Sequence, residues 1–370
     1  MSDASLTAAG GEGPIVLSQR GLLKSFAWLS LRNGLLNLIT LTLYRFWGKT
    51  EVRRRLWATT YLNDEAFEYS GRGVELFVGF LLALLVLVLP FLCIIFGTQF
   101  LGPVIAPLLV LPLYVFILFI LGVGRFTAFR YLATRTSWRG IRFHMRGQAR
   151  GFGLAWLGYA LLSAITLGWF WPAADRRLAG RLWGGLSFGD KDFDFDIDAA
   201  RRERVYGAYV LAWILGAIAY IVFVGVIVAA MYPDIKAASE GGRPPAPNTV
   251  HVMVVTYSML AVFTPFWVIA LAPFHAAMLR SIVAGIGFQG VRLHARVKWY
   301  EYAGSNLTNV IFLAVSLGLL MPFVEARSRK FVIRRLEAEG GFDLDAIGQA
   351  TGLRPRTGEG IADAFGLATI

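Results

Sequence analysis

LTLYRFWGKTEVRRRLWATTYLNDEAFEYSG, Leu41 to Gly71, decides the fold: an apolar segment runs into an arginine-rich one and then into a short alternating strand. The chain states this order twice more. Ile165 to Ile197 reads ITLGWFWPAADRRLAGRLWGGLSFGDKDFDFDI, so Thr40, Arg55, Leu56, Trp57 and Phe67 fall without a gap on Thr166, Arg181, Leu182, Trp183 and Phe193. Val315 to Asp345 reads VSLGLLMPFVEARSRKFVIRRLEAEGGFDLD, with its strand one residue early. The approaches match as well, since IRFHMR (141–146) lies over VRLHAR (291–296). Repetition of this length reads as duplication of a whole structural unit rather than a solenoid period.

Composition points to a membrane. The chain is 56% apolar, 14% aromatic and only 16% charged, against roughly 25% charged residues in a soluble domain. The net charge of +12 would suit nucleic acid in a soluble protein. Here the basic residues flank apolar segments, which excludes nucleic acid as the expected partner and points to anionic lipid head groups. Cys93 is the one cysteine, so no disulfide framework or Cys-rich metal site is expected, and no cofactor is expected either. The start, MSDASLTAAGGEGP, has neither a basic nor an apolar signal region. It reads as a disordered cytoplasmic tail over 1–13.

No charged residue lies between Glu75 and Arg125, room for two spanning helices of about 20 residues with a turn at Gly97 to Pro103. A second pair is expected at about Val205 to Met231 and Val252 to Pro273, joined by a loop from Pro233 to Asn248. IVLSQR (15–20) and its two counterparts read as strands opening each unit; FEY, FDFDI and FDLD read as strands closing it. Opener and closer are expected to pair as small sheets at the membrane surface.

The repeated apolar segments, about Ser25 to Phe46, Gly151 to Trp171 and Ser305 to Phe323, pose the topological problem, because both flanks of each are basic. Single crossings would put equivalent basic loops on opposite faces, against the positive-inside bias. This favours segments that enter and return or lie in the interface, which is possible where protein covers non-helical backbone. The rival is seven full spans with inverted repeats.

The run TLxxYRFWxKTxVRRxLWxxTxLxxxxFEYxG, followed by a charge-free apolar pair and TSWRGIRFHMRG (136–147), resembles the YjgN family of bacterial inner-membrane proteins. The resemblance covers nearly all of the chain after about residue 14 and ends with GEGIADAFG (358–366). It implies a multi-pass protein of the bacterial inner membrane and no established activity. The fold expected is therefore all-α and polytopic, an internally duplicated three-unit repeat with short surface β-strands. Its units are 14–139, 140–289 and a partial 290–345, followed by a C-terminal tail over 346–370, with the N-terminus in the cytoplasm.

Candidate functional residues fall in two groups. Arg53, Arg54, Arg55, Arg135, Arg139, Arg142 and Arg146 lie among aromatics and suit lipid phosphates, since guanidinium forms bidentate bonds to phosphate; plain topogenic charge is the simpler reading. Arg32, Asn33, Asn37, Asn306 and Asn309 form a candidate polar path in the repeated segments, with Asn33 and Asn309 at equivalent points expected to face a shared cavity and to tolerate leucine. Such groups also serve merely to bond helices together. The alternating Asp190 to Asp198 read as one face of a half-buried strand, neutralised by Arg201, Arg202 and Arg204, rather than as a calcium loop.

No catalytic motif is present, so no enzyme is expected. Asp, Glu, Lys and Arg are absent from the helices of the two spanning pairs, which disfavours an ion-coupled pump. Passive transport or handling of a small molecule or lipid is the expected function. The alternative is a non-transporting scaffold or regulator docking a partner, for example a membrane-bound peptidase, on its basic cytoplasmic face.

Overall fold

A computed structural model describes residues 15–21, 23–239, 249–341 and 347–348. In chain order the elements are β1 (Leu17–Gln19), α1 (Leu23–Ile39), α2 (Arg45–Ala58), β2 (Thr60–Leu62), β3 (Glu65–Ala66), β4 (Glu68–Tyr69) and α3 (Gly73–Thr134). Then come β5 (Thr136–Trp138), β6 (Ile141–Met145), α4 (Ala149–Ile165), α5 (Trp171–Trp183), β7 (Leu186–Phe188), β8 (Lys191–Phe195), α6 (Ile197–Arg202) and α7 (Val205–Ser239). The chain continues through α8 (Thr249–Gly285), β9 (Ile286–Phe288), β10 (Val291–Ala295), α9 (Trp299–Val315), α10 (Met321–Ile333) and β11 (Leu336–Glu339).

The chain is predominantly helical, and four stretches are long and apolar enough to cross a membrane: Gly73–Leu92, Val110–Thr134, Val205–Tyr232 and Met253–Gly285. The first two lie in α3, whose 62 residues would measure about 93 Å if straight. Its ends nevertheless meet, for the Tyr131 hydroxyl donates to Glu75 Oε2 at 3.1 Å. The segment is thus a hairpin, and the midpoint between these two residues falls at 103. The turn expected at Gly97 to Pro103 does not open into a loop: those residues are helical backbone within α3. The α7/α8 pair is closed by Phe223 against Phe263 and Tyr209 against Phe274. Here α7 continues past Pro233 to Ser239, where a loop was expected; Ala237 and Ala238 favour the helix and Lys236 complements its C-terminal dipole. The remainder of that loop, 240–248, lies outside the described residues, as do the tail 1–13, FDLD at 342–345 and the C-terminal tail apart from 347–348.

The three repeated segments are helix-turn-helix hairpins. α1, α4 and α9 have 17 residues each, about 25 Å and short of the roughly 30 Å of a hydrocarbon core. Each is followed by a five-residue turn and a helix that packs back on it. The turn chemistry recurs. Thr40, Thr166 and Ser316 each donate to the carbonyl four residues earlier, at 2.7, 2.8 and 2.6 Å. Each also accepts the amide four residues on, at 3.0, 3.1 and 3.1 Å. The next residue, Leu41, Leu167 or Leu317, takes φ of 49, 49 and 50°, a left-handed conformation that costs a leucine about 1–2 kcal/mol.

Every helical excursion ends on a strand that pairs with the strand it left. β1 and β2 pair across α1/α2 with Ser18 opposite Tyr61; β6 and β7 pair across α4/α5 with Phe143 opposite Phe188; β10 and β11 pair across α9/α10 with Leu293 opposite Ala338. β4–β5 and β8–β9 bracket the two long hairpins in the same way, with Glu68 opposite Ser137 and Phe193 opposite Phe288. Strands of segments 136–147 and 186–198 therefore pair within one sheet. Each of the five excursions goes out and comes back, in contrast to a chain of single passes.

The sheets exceed the short surface strands expected. Strands β4 to β11 form one antiparallel sheet of eight, and β1–β2–β3 a second of three. In the first two units opener and closer do not pair: β1 pairs with β2 and β6 with β7, while FEY supplies β4, which pairs with β5, and FDFDI supplies β8, the second strand of the β7–β8 hairpin. Tight turns at Asn63-Asp64 (φ 46 and 69°) and Gly189 (φ 57°) join β2 to β3 and β7 to β8. Arg139-Gly140 and Gln289-Gly290 make the same kind of turn, φ 50/73° and 47/84°. The expected unit boundaries at 139/140 and 289/290 thus fall inside β-hairpins. Trp138, Phe188 and Phe288, each one residue before a turn, converge with Ile347 on a buried aromatic core.

Among the helices, contacts run α1–α2–α3–α4–α5–α8–α9–α10 and return from α10 to α1, with α7 on the outside of α8. Phe26, Leu29, Val52 and Leu56 close this ring against Ala326 of α10. A Cβ on Gly34 would lie 2.6 Å from Leu319 Cδ2, so the first and third hairpins meet there at a distance only glycine permits.

A cationic recess beside the first hairpin

The turn after α1 brings α2 back antiparallel, which sets Arg32 opposite Glu51; the two form an ion pair. Where α3 starts beside α2, Arg54 and Arg72 complete the rim of an open recess of about 520 Å³ whose other walls include Tyr44 and Trp47. Charged lining groups are thus three guanidiniums against one carboxylate. Arg54 reaches only the Gly71 carbonyl, at 3.5 Å, and neither Arg54 nor Arg72 forms an ion pair among the described residues. Trp47 and Val74 stay exposed, at 40% and 55%. From Val74, Val78, Leu81 and Leu85 continue an exposed apolar stripe along α3, at the spacing of one helix face.

The candidate path residues do not gather. Arg32 lines the recess, but Asn33 is buried at 3% and its amide points at the Gly48 carbonyl of its own hairpin, 3.5 Å away. Asn309 is buried at 5% and held within the third hairpin, donating to Ser328 Oγ at 2.9 Å and accepting from Arg327 at 2.5 Å. Asn306 bonds to Tyr302 in its own helix, and Asn37 Oδ1 is buried with no partner among the described residues. In the second hairpin the point equivalent to Asn309 and Arg327 is Tyr159 under Arg177, 6.0 Å from the ring centroid.

Most of the candidate lipid arginines are engaged in holding the fold. Arg53 is 2% exposed. Arg135 donates to Glu75 at 3.0 Å, Arg139 to Glu65 at 2.7 Å and Arg146 to Asp192 at 2.7 Å; the Arg139 guanidinium holds the Glu65 carboxyl below its usual range. Arg142 is exposed on β6, and Arg55 is exposed with its guanidinium 5.9 Å from the Phe26 ring. The aspartate face of β8 is neutralised mainly by neighbouring strands, through Arg146 on Asp192 and Arg292 on Asp194. Arg201 reaches Asp198 alone, and the Asp196 carboxyl, lowered by the Ala199 and Asp198 amides, caps α6. Antiparallel pairing explains the difference, since cross-strand side chains are nearer than residues beyond the strand's end.

A family model described as a bacterial protein of unknown function (DUF898) matches residues 17–364. The chain belongs to the DUF898 family. Within the curated proteins this DUF898 chain is similar to the inner membrane protein YjgN of Salmonella typhimurium, 22% identical over 357 residues and 86% of each chain. It is also 30% identical to the inner membrane protein YjgN of Escherichia coli O157:H7 over 136 residues, 37% of this chain and 32% of that one. No solved structure matches it.

Proposed function

We propose that this DUF898 protein is a multi-pass protein of the bacterial inner membrane that handles lipid, or lets a small molecule pass, without coupling to an ion gradient. One observation carries the reading: three hairpins too short to cross, ringed together with α3 and α8, present Leu41, Leu167 and Leu317 at their tips, exposed at 84, 74 and 91%. Exposed leucine in a costly conformation is accounted for by contact with acyl chains, and hairpins that stop partway disturb the packing of one leaflet. The three hairpins are read as copies of one duplicated unit, supported by their common turn and by the strand pair that closes each. The sheet, with its arginines, is placed on the cytoplasmic side together with the N-terminus. The names of the YjgN relatives support the inner-membrane location.

The scaffold alternative retains the outer surface of the sheet as its docking face. The pairing of Arg135, Arg139 and Arg146 with carboxylates leaves that face less basic than a count of arginines implies. Catalysis has no part in either reading. Reconstitution into phosphatidylglycerol and phosphatidylethanolamine liposomes tests the proposal, with lipid-flip and solute-leak assays. The expected result is lipid or solute movement several-fold above empty liposomes, diminished by Leu167→Asn with Leu317→Asn. Movement no faster than in empty liposomes overturns it and leaves the scaffold.

A further inference from the structure

We infer that the recess between α1, α2 and the start of α3 binds the phosphate of one anionic phospholipid per chain, its acyl chain lying along Val74, Val78, Leu81 and Leu85. This deepens the lipid-handling reading and rests on it for the orientation of the recess toward the bilayer. Three features of the recess select such a ligand.

Charge comes first. Elsewhere in the chain, Arg135, Arg139, Arg146, Arg280, Arg292 and Arg335 meet carboxylates, yet Arg54 and Arg72 face a common space with no carboxylate partner among the described residues. Arg32 contributes a third guanidinium while Glu51 cancels one charge, leaving a net of two positive charges for a phosphate ester. Guanidinium supplies the paired donors that phosphate oxygens accept. Second, the walls are amphipathic: Tyr44 and Trp47 are side chains that sit at the level of lipid head groups. Third, the recess continues into apolar surface, because Val74 both lines it and begins the exposed stripe of α3. A free phosphate ion makes no use of that stripe; a lipid uses both parts.

The arrangement occurs once. At the points equivalent to Arg32 and Arg54 the second hairpin has Gly158 and Gly180, and Glu51 is replaced by Arg177 and Arg327. In the third hairpin the counterpart of Arg54 is Lys330, whose ammonium is taken by the Gly21 carbonyl at 3.0 Å. A stoichiometry of one follows.

The experiment uses the purified full chain in detergent and native mass spectrometry, with dioctanoyl phosphatidylglycerol, inorganic phosphate and dioctanoylglycerol as probes. Phosphatidylglycerol is expected to add once per chain at least 10-fold more tightly than either of the other two. Arg54→Gln with Arg72→Gln, both exposed positions, is expected to weaken that binding 10-fold or more, and Glu51→Gln to tighten it several-fold. Equal binding by the double variant and the native chain overturns the inference. Phosphate binding as tightly as the lipid overturns the lipid assignment in favour of a free-phosphate site, and dioctanoylglycerol binding as tightly removes the role of charge. Should the double variant fail to fold, unchanged or weaker binding by Glu51→Gln is the overturning result. Lipid binding without flux in liposomes keeps the site and refutes transport alone, so the two failures are distinguishable.

Discussion

Glu75 and Tyr131 stand at opposite ends of one 62-residue helical segment and share a hydrogen bond, the Tyr131 hydroxyl donating to Glu75 Oε2 at 3.1 Å. Arg135 Nε donates to the same oxygen at 3.0 Å. This contact fixes how the first long hairpin returns to the sheet. Below it Leu76, Phe46, Tyr69 and Leu132 form a buried cluster, so the polar clasp sits on an apolar base. Charge-assisted bonds contribute about 1.5–3 kcal/mol, and the one-third exposure of the Glu75 side chain reduces this to about 1–2 kcal/mol. Glu75→Gln is expected to lower stability by that amount in detergent unfolding, and a double-mutant cycle with Tyr131→Phe should show coupling between the two.

The recurring turn makes a prediction of opposite signs. Thr166→Val removes a hydroxyl that both donates to Leu162 and accepts from Phe170, and should cost about 1 kcal/mol. Leu167→Gly relieves a left-handed leucine and should stabilise the detergent-solubilised protein by about 1 kcal/mol, while weakening partition of the tip into lipid. Thermal unfolding in detergent checks the first pair of signs, and vesicle flotation of a hairpin-tip series checks the second.

Asn309 should not tolerate leucine, contrary to what its position in an apolar segment suggests. Its substitution removes the 2.5 Å bond from Arg327, which keeps the Ser305 carbonyl at 3.1 Å, and the 2.9 Å bond to Ser328, and losing partners of this kind costs about 1–3 kcal/mol. Asn33→Leu loses a 3.5 Å contact to the Gly48 carbonyl and a 3.3 Å bond from Arg32, whose guanidinium keeps its ion pair with Glu51, and should cost less. Unfolding midpoints of the two single variants in one detergent decide the order.

Acid sensitivity should trace in part to His144 on β6. Burial, followed by the nearby Arg146 charge, lowers its pKa, with Asp192 opposing. A histidine whose folded pKa is depressed stabilises the fold while neutral, fully so above its unfolded value of about 6.5, and that contribution is lost as pH falls through the folded value. Melting temperature should therefore drop between pH 7 and pH 5, with His144→Gln flattening part of that drop. An identical pH profile in the variant contradicts the assignment.

The sequence disclosed the hairpins and left the sheet largely hidden. Charge-free runs and the repeated Thr-Leu register are local signals, and both the spanning pairs and the returning segments follow from them. TSW, LSF and IGF span three residues each, too few for a period of two to register, and each follows directly on a helix. Without them the closers were the only visible partners for the openers, and small separate sheets were the natural expectation. The recess was equally hidden, because Arg32 and Glu51 meet only once the turn at Thr40 reverses the chain, and Arg72 arrives from beyond three further strands. Counting arginines also misled, since Arg139, Arg146 and Arg292 are paired at the surface with Glu65, Asp192 and Asp194.

The central claim is that every helical excursion returns to a strand paired with the one it left, so that all five excursions start and end on one side of the membrane. Gln148, Asp198 and Arg334 are exposed positions at the sheet ends of the second and third hairpins, and Asn248 lies in the connection between α7 and α8. Single cysteines at these four positions, in a Cys93→Ser background, should be probed with a membrane-impermeant thiol reagent in intact and in permeabilised cells. The account predicts that Gln148→Cys, Asp198→Cys and Arg334→Cys behave alike and opposite to Asn248→Cys: protected in intact cells and labelled only after permeabilisation, if the sheet is cytoplasmic. Labelling that separates any one of the first three from the other two would contradict it.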